Sequence, residues 1–234
     1  PRNPASNSHG RLRSGVDLSG ARRGGYIATL KMKIWLVLFS VLTLLSGASA
    51  ATWTERTSVG STKTWSCITS SSDGTKLAAA EGGGNTEGYI WTSTDSGATW
   101  TKDTSVGSTQ DWYSITSSSD GTKLAAVANA GKIWTSTDSG ATWTSKTSFN
   151  DWWRSIASSS DGSKLVACAT SGYIWTSTDS GDTWTKDTSV GSTKFWWGVT
   201  SSSDGARLAA VSSSFSGSIW TSADSGATWT SKTS

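Results

Sequence analysis

The chain has 234 residues, with 20 Lys/Arg against 17 Asp/Glu, one His, two Cys and 16 Trp. Seven of the basic residues but only Asp17 precede residue 51, so the remaining body carries 13 basic and 16 acidic side chains and its charge gives no case for nucleic-acid binding. The one His, His9, also lies before residue 51, which excludes a His-based triad or His metal site from the body, and no cofactor is expected.

Residues 1–31 begin at Pro1 and read as an upstream or targeting segment. Met32-Lys33, the apolar run Ile34 to Leu45 and the small residues Ala48-Ser49-Ala50 predict a signal peptide over residues 32–50. That run falls short of the roughly 20 residues a bilayer span needs. A secreted, extracellular protein with no stable membrane span after cleavage is therefore expected. Arg22-Arg23 ahead of the apolar run leaves a two-part address to the thylakoid lumen as the alternative.

The body, residues 51–234, opens on a strand-like segment, Ala51 to Ser58. A first full set of strands is predicted at Trp65 to Ser70, Lys76 to Ala80, Tyr89 to Thr94 and Ala98 to Thr101. The turn Ser71-Ser72-Asp73-Gly74 joins the first two, since Asp-Gly between apolar runs favours a hairpin. It recurs at Asp120-Gly121, Asp161-Gly162 and Asp204-Gly205. A Gly-rich loop from Glu81 to Gly88 precedes the third strand.

Between the third and fourth strands runs Trp91-Thr-Ser-Thr-Asp-Ser-Gly-Ala-Thr-Trp-Thr101, and nearly the same string returns from Trp134, Trp175 and Trp220. Its acidic residues, Asp95, Asp138, Asp179 and Asp224, are 43, 41 and 45 residues apart, the signature of one supersecondary unit copied in series. Each Asp is expected to staple a bend by accepting backbone N–H bonds two residues on, and Gly97, Gly140, Gly181 and Gly226 to supply a positive φ. Trp91, Trp134, Trp175 and Trp220, with Trp100, Trp143, Trp184 and Trp229, are expected to fill the space between neighbouring sheets.

Ser-x-Asp-x-Gly-x-Thr-Trp resembles the Asp-box, or bacterial neuraminidase repeat, of sialidase-like β-propellers, and its four copies cover essentially all of residues 51–234. The resemblance implies an all-β fold of about four antiparallel four-stranded blades, with the box at the turn between third and fourth strands and remote from any active site. Fourth-strand segments at Trp53, Trp100, Trp143, Trp184 and Trp229 outnumber the four sets of other strands. Because such propellers commonly close by pairing an N-terminal strand into the last blade, a fragment of a six- or seven-bladed ring is expected. A complete four-bladed ring with a spare arm is the alternative.

The connections after second and fourth strands vary between copies and emerge on one side of the blades, which makes that side the candidate binding face. Trp65, Trp112, Trp153 and Trp196 share a structural register, whereas the next position reads Ser66, Tyr113, Arg154 and Trp197. The candidate ligand contacts are Trp152, Tyr113, Arg154 and Trp197, with Asp111, Asp151 and Glu87 as polar partners. Rings beside carboxylates and Arg suit a glycan or an extracellular protein. A sialidase-like glycoside hydrolase would imply three arginines, a Tyr with a Glu partner and an Asp acid/base. The body offers Arg56, Arg154 and Arg207, and its three glutamates all lie in the first repeat, so no catalytic set is assigned. A non-catalytic binder is expected; a hydrolase fragment and a lumenal propeller similar to photosystem II assembly factors are the alternatives. Cys168 stands where other repeats have Ala80, Val127 and Val211, so a buried, unpaired thiol is expected.

Overall fold

A computed structural model describes residues 54–56, 59–60, 62–147, 150–213 and 217–232. The leader, the signal peptide and the spare strand at Trp53 lie outside the described residues. The body forms four antiparallel four-stranded sheets, each a meander in chain order. Blade 1 is β1 (Trp65–Ser70), β2 (Leu77–Gly82), β3 (Glu87–Ser93) and β4 (Thr101–Lys102). Blade 2 is β5 (Trp112–Ser117), β6 (Leu124–Ala128), β7 (Ile133–Ser136) and β8 (Thr144–Ser145). Blade 3 is β9 (Trp153–Ser158), β10 (Leu165–Ala169), β11 (Ile174–Ser177) and β12 (Thr185–Lys186), and blade 4 is β13 (Trp196–Ser201), β14 (Leu208–Ser212), β15 (Ile219–Ser222) and β16 (Thr230–Lys232). No helix among the described residues is long and apolar enough to cross a membrane.

The second strands of blades 2 and 3 are apolar on both faces because they are covered on both. Leu124, Ala126 and Ala128 of β6 pack with Ala78, Ala80 and Ile90 of blade 1, together with Trp112, Ile115 and Trp143. The alternate residues Ala125 and Val127, with Ile133, pack against Trp153, Ile156, Leu165, Ala167 and Ala169 of blade 3. A third junction joins Val166, Cys168 and Ile174 to Trp196, Leu208, Ala210 and Trp229. Strand residues alternate between faces, so one run of small apolar side chains serves two junctions, and Ala lets the sheets approach closely. Both cysteines are free, and burial pushes the Cys168 thiol up to about 12.

Two local expectations are corrected. The fourth strands do not start at Ala98 but at Thr101, since the residues from Asp95 to Trp100 are spent in the bend, where Ser96 as well as Gly97 is left-handed at φ 57° and 80°. The box carboxylate also reaches further than two residues. Asp95 accepts the N–H of Thr99 at 2.8 Å and its hydroxyl at 2.6 Å, four residues on. Acceptance two residues on belongs to the other turn, where Asp73 takes the Thr75 N–H at 3.0 Å. Thr99 and Ser93 together hold Asp95 down to about 2, and the same bonds hold Asp179 and Asp224 there. The close approach of box to neighbouring blade requires glycine: a Cβ at Gly140 would lie 2.6 Å from Thr92 Cγ2 of blade 1.

Both kinds of bend sit on one side of the sheets. Ser96 of the first box donates its N–H to the carbonyl of Thr75 in the Asp73 turn at 2.9 Å, and Ser139, Ser180 and Ser225 repeat the bond. The opposite rim is left to the variable connections.

Candidate functional site

On that opposite rim, isolated bridges tie the loop inside each blade to the entry of the next: Gly88 to Gln110, Gly131 to Asp151 and Gly172 to Lys194. The first strands then open on Trp112, Trp153 and Trp196, all fully buried. The Trp112 indole N–H donates to Gly88 at 3.2 Å and that of Trp153 to Gly131 at 3.1 Å. Each of these rings also meets the third-strand Trp of its own blade edge-on, at 6.4 Å for Trp112 and Trp134 and 6.2 Å for Trp153 and Trp175. The strand entry is thereby clamped at a known register.

The residue after each clamp is a β-bulge. In blade 1, Trp65 faces Glu81 but Cys67 already faces Ala80, leaving Ser66 as the extra residue. Tyr113, Arg154 and Trp197 are skipped in the same way in blades 2, 3 and 4. Bulges re-aim side chains out of the pleat. All four bulge residues line one open cavity of about 610 Å³, together with Thr64, Trp65, Gly82, Gly83, Gly84, Ser114 and Ser155.

Inside it, the Arg154 guanidinium lies 3.8 Å from the Trp197 ring centroid and 4.9 Å from that of Tyr113. Stacking on two rings favours the charged, planar group and restrains it. The ion pairs formed among the described residues are Lys63 with Glu81 and Lys146 with Asp182, and neither involves Arg154. The Tyr113 hydroxyl accepts the Gly84 N–H at 3.2 Å, which ties the Gly-rich loop to the wall.

The structure thus brings Tyr113, Arg154 and Trp197 together and leaves the other candidates outside the cavity lining. Asp111 staples the Gly-rich loop, its carboxylate accepting from Gly83 at 2.7 Å and from the Asn85 N–H and Asn129 amide at 3.2 Å each. Glu87 accepts the Thr109 hydroxyl at 2.7 Å, and Asp151 takes the Trp152 N–H at 2.8 Å. Trp152 is 62% exposed on the rim just before the clamp. Sequence reasoning did not name Gly82 to Gly84, Ser114 or Ser155 as lining; a bulge leaves no signature in composition that would have pointed to them. Among the described residues no group of three or more His, Cys, Asp or Glu could hold a metal ion.

No protein-family model matches the chain, and no curated protein matches it in sequence. Solved structures do match in shape. A Niastella koreensis GH74 enzyme is 19% identical at a TM-score of 0.57, covering 71% of this chain and 30% of that one. YCF48 bound to D1 peptide is 20% identical at 0.54, covering 75% and 55%. The WD40 repeats of RRP9 are 9% identical at 0.60, covering 74% and 52%. What is shared is the β-propeller fold. Identities this low carry the fold alone, and this propeller chain spans less than a third of the GH74 enzyme and about half of the other two.

Proposed function

We propose that this chain is a secreted, non-catalytic Asp-box propeller that binds a glycan or an extracellular protein at the bulge-lined cavity. The observation that carries the reading is the Arg154 guanidinium, held against Trp197 and Tyr113 with no carboxylate among the lining residues. A charged donor fork held by rings and left without an internal counter-ion suits an anionic group on the ligand, such as a carboxylate. The free area of Trp197 suits the apolar face of a sugar or of a side chain. The four repeated bends, each with Asp bonded to Ser and Thr, support assignment of the repeats to the neuraminidase type.

Glycoside hydrolysis in most families employs two carboxyl groups flanking the scissile bond. None lines this cavity among the described residues, so the hydrolase reading draws no support from it. The likeness to YCF48, whose structure holds a D1 peptide, supports peptide binding in a lumenal propeller as the second reading. A panel of neutral and acidic glycans and of acidic peptides, titrated against the wild type and Arg154→Ala, separates these. Saturable binding of an acidic glycan, weakened at least about tenfold in the variant as for loss of a charged hydrogen bond, is expected; peptide binding alone favours the second reading, and binding indifferent to Arg154 removes this site from the account.

A further inference from the structure

The bulge at the head of each first strand lets two consecutive residues share one side, which a regular strand forbids because its side chains alternate. Tyr113 with Ser114 in blade 2, and Arg154 with Ser155 in blade 3, line the cavity as pairs for this reason. Blades 2 and 3 each have a neighbour packed on both faces, so these positions are set by junctions that the chain itself completes.

The hydroxyls in this group share one arrangement. Ser114 Oγ accepts the Ile156 N–H of blade 3 at 3.2 Å, and Ser155 Oγ accepts the Val199 N–H of blade 4 at 3.3 Å. The Tyr113 hydroxyl accepts the Gly84 N–H in the same manner. A hydroxyl has an O–H to donate besides its acceptor lone pairs, and none of these donates it to an acceptor among the described residues. Ser66, by contrast, spends its proton on the Ala80 carbonyl at 3.1 Å. Each N–H thus fixes its hydroxyl as an acceptor on the protein side and leaves the O–H for the cavity. Arg154, which has donors and no acceptor, is the one charged residue among those described in the lining.

We propose that the hydroxyls of Tyr113, Ser114 and Ser155 join Arg154 in one site for a singly charged oxyanion, a carboxylate or a sulfate ester, carried by an acidic glycan. The inference rests on the reading of this cavity as the ligand site and adds which groups select the ligand. An oxyanion accepts several hydrogen bonds at once, and bonds to a charged acceptor are stronger than neutral ones. One guanidinium balances one negative charge, whereas a phosphate monoester, with close to two, would keep part of its charge unbalanced. A sugar fits these donors better than a peptide does. Its ring and hydroxyl oxygens accept hydrogen bonds, while a peptide backbone brings N–H groups that need acceptors, and no carboxylate or amide side chain is among the described lining residues.

Blade 1 supplies the control. Cys67 stands in the column of Ser114 and Ser155, and the Ile115 N–H bonds its sulfur, so a thiol keeps the junction while donating only weakly. Ser114→Cys and Ser155→Cys should therefore melt with the wild type under reducing conditions, and Ser155→Thr should keep both the junction and the donor. The test is calorimetric titration of the full chain with hexasaccharides of hyaluronan, which carries carboxylates, of a sulfated galactan without carboxylates, and of neutral chitin. The wild type is expected to bind an acidic sugar and not the neutral one, and whichever acidic sugar binds more tightly names the oxyanion. Each Cys variant should bind it about tenfold more weakly, as for loss of a hydrogen bond to a charged group, and Ser155→Thr should bind like the wild type. Binding lost in Arg154→Ala but unchanged in both Cys variants overturns this inference and leaves the ligand reading standing. A wild type that binds none of the sugars overturns both. A loss that Ser155→Thr shares, or one that appears only with a lowered melting temperature, assigns the serines to the junction alone and overturns the inference.

Discussion

Ser136 Oγ accepts the N–H of Gly140 at 2.9 Å while donating to Asp138 at 2.7 Å, so one buried hydroxyl closes the second box from inside. Ser136→Ala leaves a buried N–H without an acceptor, which costs about 1–3 kcal/mol. Urea unfolding should show a lower midpoint with an unchanged slope. The same loss is expected from Ser177→Ala, whose hydroxyl makes the same two bonds.

Acid should weaken the fold through its bends. Asp73, Asp95, Asp120, Asp179 and Asp224 are held near 2 against an ordinary 3.8, and Asp138, Asp161 and Asp204 are also lowered, by Ser and Thr hydroxyls and backbone N–H groups. A carboxyl whose folded value is depressed stabilises the fold fully above its unfolded value and loses that contribution as pH falls through the folded one. The Tm should therefore be flat from pH 7 to about 4 and fall between about 4 and 2. Each exposed bend contributes little alone, so Asp95→Asn should lessen the slope only slightly, while Asn at all four boxes should reduce it clearly.

Trp152 and Trp153 are neighbours with opposite fates. The first is exposed on the rim and the second is fully buried against blade 2. Trp153→Ala should cost about 3–5 kcal/mol by opening a cavity, whereas Trp152→Ala should leave the thermal midpoint within about a degree of the wild type, consistent with a surface change. If Trp152 belongs to the binding rim, its removal weakens ligand capture at unchanged Tm.

Arg154→Lys keeps the charge but loses the planar group that lies on Trp197 and Tyr113. Ligand affinity should fall between those of the wild type and Arg154→Ala. Titration calorimetry with one ligand across the three proteins orders them.

Cys168 is buried among Val166, Ile174 and Trp196, in the position that Val127 fills between blades 2 and 3. Cys168→Val should cost less than about 1.5 kcal/mol. In the native protein Cys168 should not react with a thiol reagent, because burial holds it protonated; reaction should appear on unfolding in denaturant.

Repetition made the fold legible. Four copies of one string, each with a turn-forming Asp-Gly and a strand-length apolar run, are local signals that repeat in phase, and local signals are what a sequence displays directly. Tyr113, Arg154 and Trp197 were legible too, as the one variable column beside an invariant Trp. What the sequence did not contain was the bulge that turns those three side chains into a common cavity, since a bulge depends on pairing with a distant strand. Nor did it show that Asp111 and Glu87 spend their carboxylates on neighbouring loops, because those bonds join residues brought near only by packing. Composition and spacing thus determined blade, bend and repeat number by short-range chemistry. Tertiary structure decided which variable residues meet, because that is a property of one sheet set against another.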